Sequence, residues 1–149
     1  MKNRQGVTLI ELLTVIAIIG IMTAVTIVYL GGAKNDKAVE TAAREVASAV
    51  REAQNYALTG KNASNCIDGY TFNYTESSSN YSIRGCSDIS YTLKNGVTFN
   101  GDGIINFSIP NAITDGGTIE VKKGTTSYSV CVCKSGKITE KVGNSCGAC

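Results

Sequence analysis

The chain has 149 residues, 43% apolar and 17% charged, with six cysteines, a single proline and no histidine. That length sets one domain with a real core, and the missing histidine excludes Ser-His-Asp and Cys-His catalysis together with every His-ligated metal site. Lys2 and Arg4 alone account for the formal charge of +2, so the remainder is neutral and carries no global signal for nucleic-acid binding.

From Leu12 to Ala33 there is no charged residue. The stretch Leu12 to Leu30 is long enough to cross roughly 30 Å of hydrocarbon as a helix. A secretory signal peptide, the competing reading, has an apolar region of about 7 to 15 residues that ends in a small-residue cleavage site. Here the run continues without a turn signal, and it reads as a membrane span. From Ala33 to Leu58 the chain is alanine-rich and free of proline. Val39, Ala42, Ala43, Val46, Val50, Ala53 and Ala57 recur at intervals of three and four, which puts them on one helix face. Glu40 and Arg44 stand four apart, a spacing that suits an ion pair on a helix.

The simplest prediction is one helix of about fifty residues, lipid-embedded in its first half and amphipathic in its second, capped near Thr59-Gly60. Gly31-Gly32 is its weak point, since each glycine costs about 1 kcal/mol of helix propensity. Two helices with a hinge there is the alternative. After Gly60 the composition turns to Ser, Thr, Asn, Gly and Tyr with alternating apolar residues. Strand-like runs lie at Tyr70 to Tyr74, Tyr81 to Arg84, Ser90 to Leu93, Val97 to Phe99, Ile104 to Ile109, Thr118 to Val121, Ser127 to Cys133 and Lys137 to Val142. Turn signals such as Lys94-Asn95-Gly96 and Asp115-Gly116-Gly117 separate them. Close spacing favours hairpins of an antiparallel sheet, covered by the Ala/Val face of the second half-helix. The fold class is α+β: a long N-terminal helix packed on a C-terminal antiparallel β-sheet domain.

The informative motif lies at the front. Gly6 is followed by Val7-Thr8-Leu9-Ile10-Glu11-Leu12-Leu13, with a lone carboxylate at the margin of an uncharged run. A carboxylate near the centre of a span costs about 2.5 to 3.5 kcal/mol on insertion scales, so a merely structural span would avoid it. This segment resembles the type III signal of type IV pilins and type II secretion pseudopilins, with Val7 where that family most often has Phe. The resemblance implies that a prepilin peptidase cuts after Gly6 and methylates the new amine of Val7. It also implies that Glu11 meets the terminal amine of a neighbouring subunit in a filament, and that the span becomes the filament core. A charge pair in low dielectric is favoured over either charge alone, which gives each incoming subunit a register to find. Under the same resemblance residues 1–6 are the leader, 7–33 the transmembrane and filament-core helix, 34–60 its amphipathic half and 61–149 the globular β domain. Lys2 and Arg4 hold the leader in the cytoplasm by the positive-inside rule, and the chain beyond Leu30 is exported, to be periplasmic or extracellular in the filament.

The globular part is similar to the pseudopilin H and FimT-like group in the helix Ala43 to Ala57, in Gly96-Val97-Thr98-Phe99 and Ile105-Asn106-Phe107, and in the run Val130 to Thr139. Members of that group serve as minor subunits of a secretion pseudopilus or type IV pilus, and some bind DNA through a terminal Gly-Arg-x-Arg segment. The corresponding stretch here is Gly136-Lys137-Ile138-Thr139, which lacks both arginines. Lys134, Lys137 and Lys141 are the candidate basic patch, although such charges more often form a solvated face. The implied partners are other pilin subunits, the prepilin peptidase and the inner-membrane assembly platform. No catalysis, cofactor or metal is implied.

Cys66, Cys86, Cys131, Cys133, Cys146 and Cys149 all lie beyond the span, in a compartment that permits disulfides. Six cysteines allow 15 connectivities; Cys66 with Cys86 would close one loop, and Cys131 and Cys133 with Cys146 and Cys149 would tie the C-terminal tail to its strand. Two other readings stay open: four thiolates at zinc spacing, and Cys146-x-x-Cys149 as a redox pair.

Overall fold

A computed structural model describes residues 8–61, 69–85 and 88–147, with the backbone alone over 25–32. Helix α1 runs Leu9–Thr59. It is helical throughout, including Gly31-Gly32, where the sequence leaves a hinge open. The chain divides into two compact units at Lys34/Asn35. In the first unit every described side chain from Thr8 to Ala24 is exposed. α1 ends where predicted: Gly60 takes φ 59°, which side chains rarely tolerate, and the Lys61 N–H donates to the Tyr56 carbonyl at 3.3 Å. This is the six-to-one bond of a glycine-capped C-terminus.

All eight strand-like runs are strands. They are β1 (Tyr70–Tyr74), β2 (Asn80–Arg84), β3 (Ile89–Thr92), β4 (Thr98–Phe99), β5 (Gly103–Phe107), β6 (Gly117–Lys123), β7 (Thr126–Val132) and β8 (Ile138–Val142). β5 stops short of the predicted Ile109, because the Ser108 N–H turns to the Ile113 carbonyl at 3.1 Å in a loop. The strands form two antiparallel sheets rather than one, ordered β3-β2-β1-β5 and β4-β6-β7-β8. Only the hairpin pairs keep to chain order. The short β4 leaves to join β6 and β5 returns to join β1, with Phe72 opposite Ile105 and Phe99 opposite Val121. The sheets approach closely at Gly117, where a Cβ would lie 2.5 Å from the Ile105 side chain. The Tyr74 hydroxyl donates across to the Thr118 carbonyl at 3.2 Å.

The predicted helix face is the covered one. Val39, Val46, Val50, Ala53 and Ala57 are fully buried, and Ala38, Ala47 and Ala49 join them. Small side chains let the sheets pack close to the helix, and the bulk comes from the strands: Phe72, Ile83, Phe99, Phe107, Ile119 and Val130 are all buried. Rings of Phe72, Tyr74, Tyr81 and Phe99 lie 5.1 to 6.0 Å apart between centroids. At the edges the helix is tied by polar contacts. Arg51 reaches Glu140 at 3.2 Å, Gln54 donates to the Gly136 carbonyl at 3.0 Å, and the Thr126 hydroxyl donates to Asp36 at 2.7 Å. The expected Glu40–Arg44 pair is present at 2.6 Å, with Lys37 on the other carboxylate oxygen at 2.8 Å.

Two helix carboxylates receive phenols from the first sheet. Tyr91 donates to Glu52 at 3.0 Å, Tyr56 donates to the same carboxylate, and Tyr81 donates to Glu45 at 3.4 Å. Burial, and then the bonded Glu52 carboxylate, push the Tyr91 hydroxyl up to about 12. Burial and Glu45 likewise raise Tyr81 above its ordinary range. Because these folded values lie above the unfolded one, their contribution to stability is complete below pH about 10 and is lost as the pH rises toward 12. Burial and Asp102 raise Tyr74 in the same direction, so an ultraviolet titration of the native chain should show at least three of the seven tyrosines lagging until the protein unfolds. Ionisation of all seven together near pH 10 contradicts these contacts.

Candidate functional site

Glu11 occupies the third position of α1, and its surroundings are set by Thr8 three residues before it. The Thr8 backbone N–H and the Thr8 hydroxyl both donate to Glu11 Oε2 at 2.9 Å, while the Glu11 N–H reaches back to Thr8 Oγ1 at 3.4 Å. This reciprocal capping box satisfies amides that a helix start otherwise leaves orphaned. The signature Thr-x-x-Glu ahead of an apolar run was available in the sequence, and reading Glu11 only as an anomalous charge missed it. Oε1 accepts no hydrogen bond among the described residues, so within them only Oε2 closes the helix.

Apolar side chains surround this carboxylate except at Thr8 and Thr14. Leu9, Ile10, Leu12, Leu13, Val15 and Ile16 are all more than half exposed. A helix apolar on every side has no face fit for water and belongs inside something else. Its hydroxyls are spent on its own backbone, since Thr14 donates to the Glu11 carbonyl at 3.0 Å and Thr23 donates to the Ile19 carbonyl. Among the described residues no helix is long and apolar enough to cross a membrane. The described side chains of the apolar run end at Ala24, and the span predicted over Leu12 to Leu30 continues into 25–32, whose side chains lie outside the described residues.

Gly6 and Val7, the predicted cleavage and methylation positions, lie outside the described residues, as do Cys66, Cys86 and Cys149. Cys131 is bonded to Cys146, with Cα atoms 5.6 Å apart, which ties the tail to β7. Cys133 is also disulfide-bonded, and both strand cysteines are buried. A disulfide sulfur is not a thiolate ligand, so the zinc reading of these cysteines is overturned. Cys146 is bonded to Cys131 rather than to Cys149, which lies outside the described residues. Among the described residues no group of His, Cys, Asp or Glu is placed to hold a metal ion. Of the three candidate lysines, Lys137 and Lys141 line one cavity of about 260 Å³ beside Ser135 and Thr139, and Lys134 does not.

Comparison with known proteins bears on the front of the chain. Residues 1–27 match a family described as the prokaryotic N-terminal methylation motif, characteristic of type IV pilins and pseudopilins. The chain carries a pilin-type N-terminus. That motif supports a prepilin-peptidase substrate and suggests membrane anchoring and assembly with other pilin subunits. The helix packed on antiparallel sheets in the second unit is consistent with a pilin-like fold. No curated protein and no solved structure matches the chain.

The Cys131–Cys146 bridge spans 15 residues of sequence, a loop for which cross-linking contributes about 3 kcal/mol. Cys146→Ser should lower unfolding stability by about that amount in denaturant titrations. An unchanged midpoint contradicts a structural role for the bridge.

Proposed function

We propose that the chain is a structural subunit, of the minor kind, in a type II secretion pseudopilus or type IV pilus, and that it works by assembly without catalysis. The prepilin peptidase cuts between Gly6 and Val7 and methylates the Val7 amine. Before assembly the subunit sits in the inner membrane as a single-pass protein, its basic leader cytoplasmic and its β domain outside. The assembly platform then draws it into a filament, where the apolar helix exchanges lipid for other copies of itself.

The observation that carries this reading is Oε1 of Glu11, without a hydrogen bond among the described residues and set among mostly apolar side chains. The capping box uses hydrogen-bond acceptors but leaves the negative charge without a counter-ion among the described residues. Peptidase cleavage creates a cation at Val7, and in apolar surroundings that cation on an adjoining copy is the partner the carboxylate lacks. The neutral balance outside the leader, with only Lys137 and Lys141 sharing a cavity, favours assembly over nucleic-acid binding.

Glu11→Gln separates charge from cap, since glutamine also closes a capping box. The variant should be cleaved normally, as judged by the mass of the mature N-terminus, yet enter filaments at least about tenfold less than the parent. Normal incorporation of the cleaved Glu11→Gln chain contradicts the proposal.

A further inference from the structure

The two sheets present different chemistry to solvent. The second carries Glu120, Lys122, Lys123, Glu140 and Lys141 along its strands. In the first, Phe72, Tyr81 and Ile83 point into the core, so alternation turns Asn73, Asn80, Ser82, Arg84, Ser90 and Thr92 to the other face. These six residues line a cavity of about 630 Å³, within the range of small-molecule sites, and it has one charged side chain and no carboxylate.

Register orders the polar groups. Asn73 stands opposite Ser82 and Ser82 opposite Ser90, forming a rung of short side chains across three strands, while Asn80 stands opposite Thr92. The Thr92 hydroxyl donates to Asn80 Oδ1 at 2.8 Å, which leaves the Asn80 amide nitrogen as a donor. Asn73 Nδ2 donates to Thr71 Oγ1 at 2.8 Å, which leaves Asn73 Oδ1 as an acceptor. The Ser82 and Ser90 hydroxyls have no hydrogen-bond partner among the described residues. Fixed donors, fixed acceptors and adaptable hydroxyls thus share one concave surface. Short neutral side chains cost far less to desolvate than charges and little rotamer entropy to hold.

We infer that this cavity is a binding site for a neutral oligosaccharide. The vicinal hydroxyls of a sugar donate and accept in the same alternation as the lining. A nucleic acid needs several cations and finds one, Arg84. Tyr74, Tyr81 and Tyr91 also line it, so its wall is mixed rather than apolar throughout. The site is built on β1, β2, β3 and the loops beside them, and no residue of the N-terminal motif lines it.

The test is amide NMR of the full chain in a zwitterionic, sugar-free detergent, titrated with maltohexaose, cellohexaose and chitohexaose, and with heparin as the polyanionic comparison. Saturable shifts of the Asn73 and Asn80 side-chain amides with at least one neutral hexaose are expected. Ser90→Lys and Thr92→Ala should each weaken binding about tenfold at an unchanged melting temperature. Silence at both asparagines with all three hexaoses, equal binding by both variants, or shifts from heparin alone would each overturn the inference.

Discussion

A carboxylate held among apolar side chains is the constraint on which the rest of this protein depends. Glu11 cannot be satisfied by its own helix. The two bonds from Thr8 settle one oxygen and improve the helix start, but a hydrogen bond shares charge without cancelling it. In water that residue of charge is trivial. In lipid or in a helical bundle it is a strong local demand, and only a cation meets it. Under the proposed function, the local geometry that builds the helix start also leaves a carboxylate charge for an adjoining copy to meet.

α1 serves two environments with one backbone. Up to Ala24 its described side chains are mostly apolar and all exposed. After Asn35 the same backbone carries alanine and valine on the side that meets the sheets and charges on the rest, and its partner is the chain's own β domain. The choice of alanine is decisive in the second part. It lets two sheets lie against one helix, while the Glu45 and Glu52 carboxylates at the border are answered by phenols. The bridge from Cys131 to Cys146 then fixes a tail whose few apolar residues could not hold it down alone.

Much of this was legible from local pattern. The strands announce themselves by alternation and by glycine and asparagine turns, and the helix end by Thr59-Gly60. The division into two sheets was not legible, because the β1–β5 and β4–β6 pairings join segments that hairpin reasoning does not connect. The tyrosine–carboxylate contacts were hidden for the same reason, with Tyr91 39 residues from Glu52. Glu11 stood out as a charge in the wrong place, yet its capping partner was visible in Thr8 and went unread. The polar cavity of the first sheet needed the register, since strand order alone does not say that Asn73, Ser82 and Ser90 share a rung.

The central claim is an intermolecular one, and mixed labelling addresses it directly. Filaments would be grown from two pools of subunits, one carrying nitrogen-15 at the Val7 amine and the other carbon-13 at the Glu11 carboxyl. Solid-state NMR would then read magnetisation transfer between them. The account predicts a cross-peak that only the mixed filament shows, at a separation of about 4 Å or less. A mixed filament that assembles fully with no such transfer would show that the carboxylate and the chain start do not meet across subunits, and would contradict it.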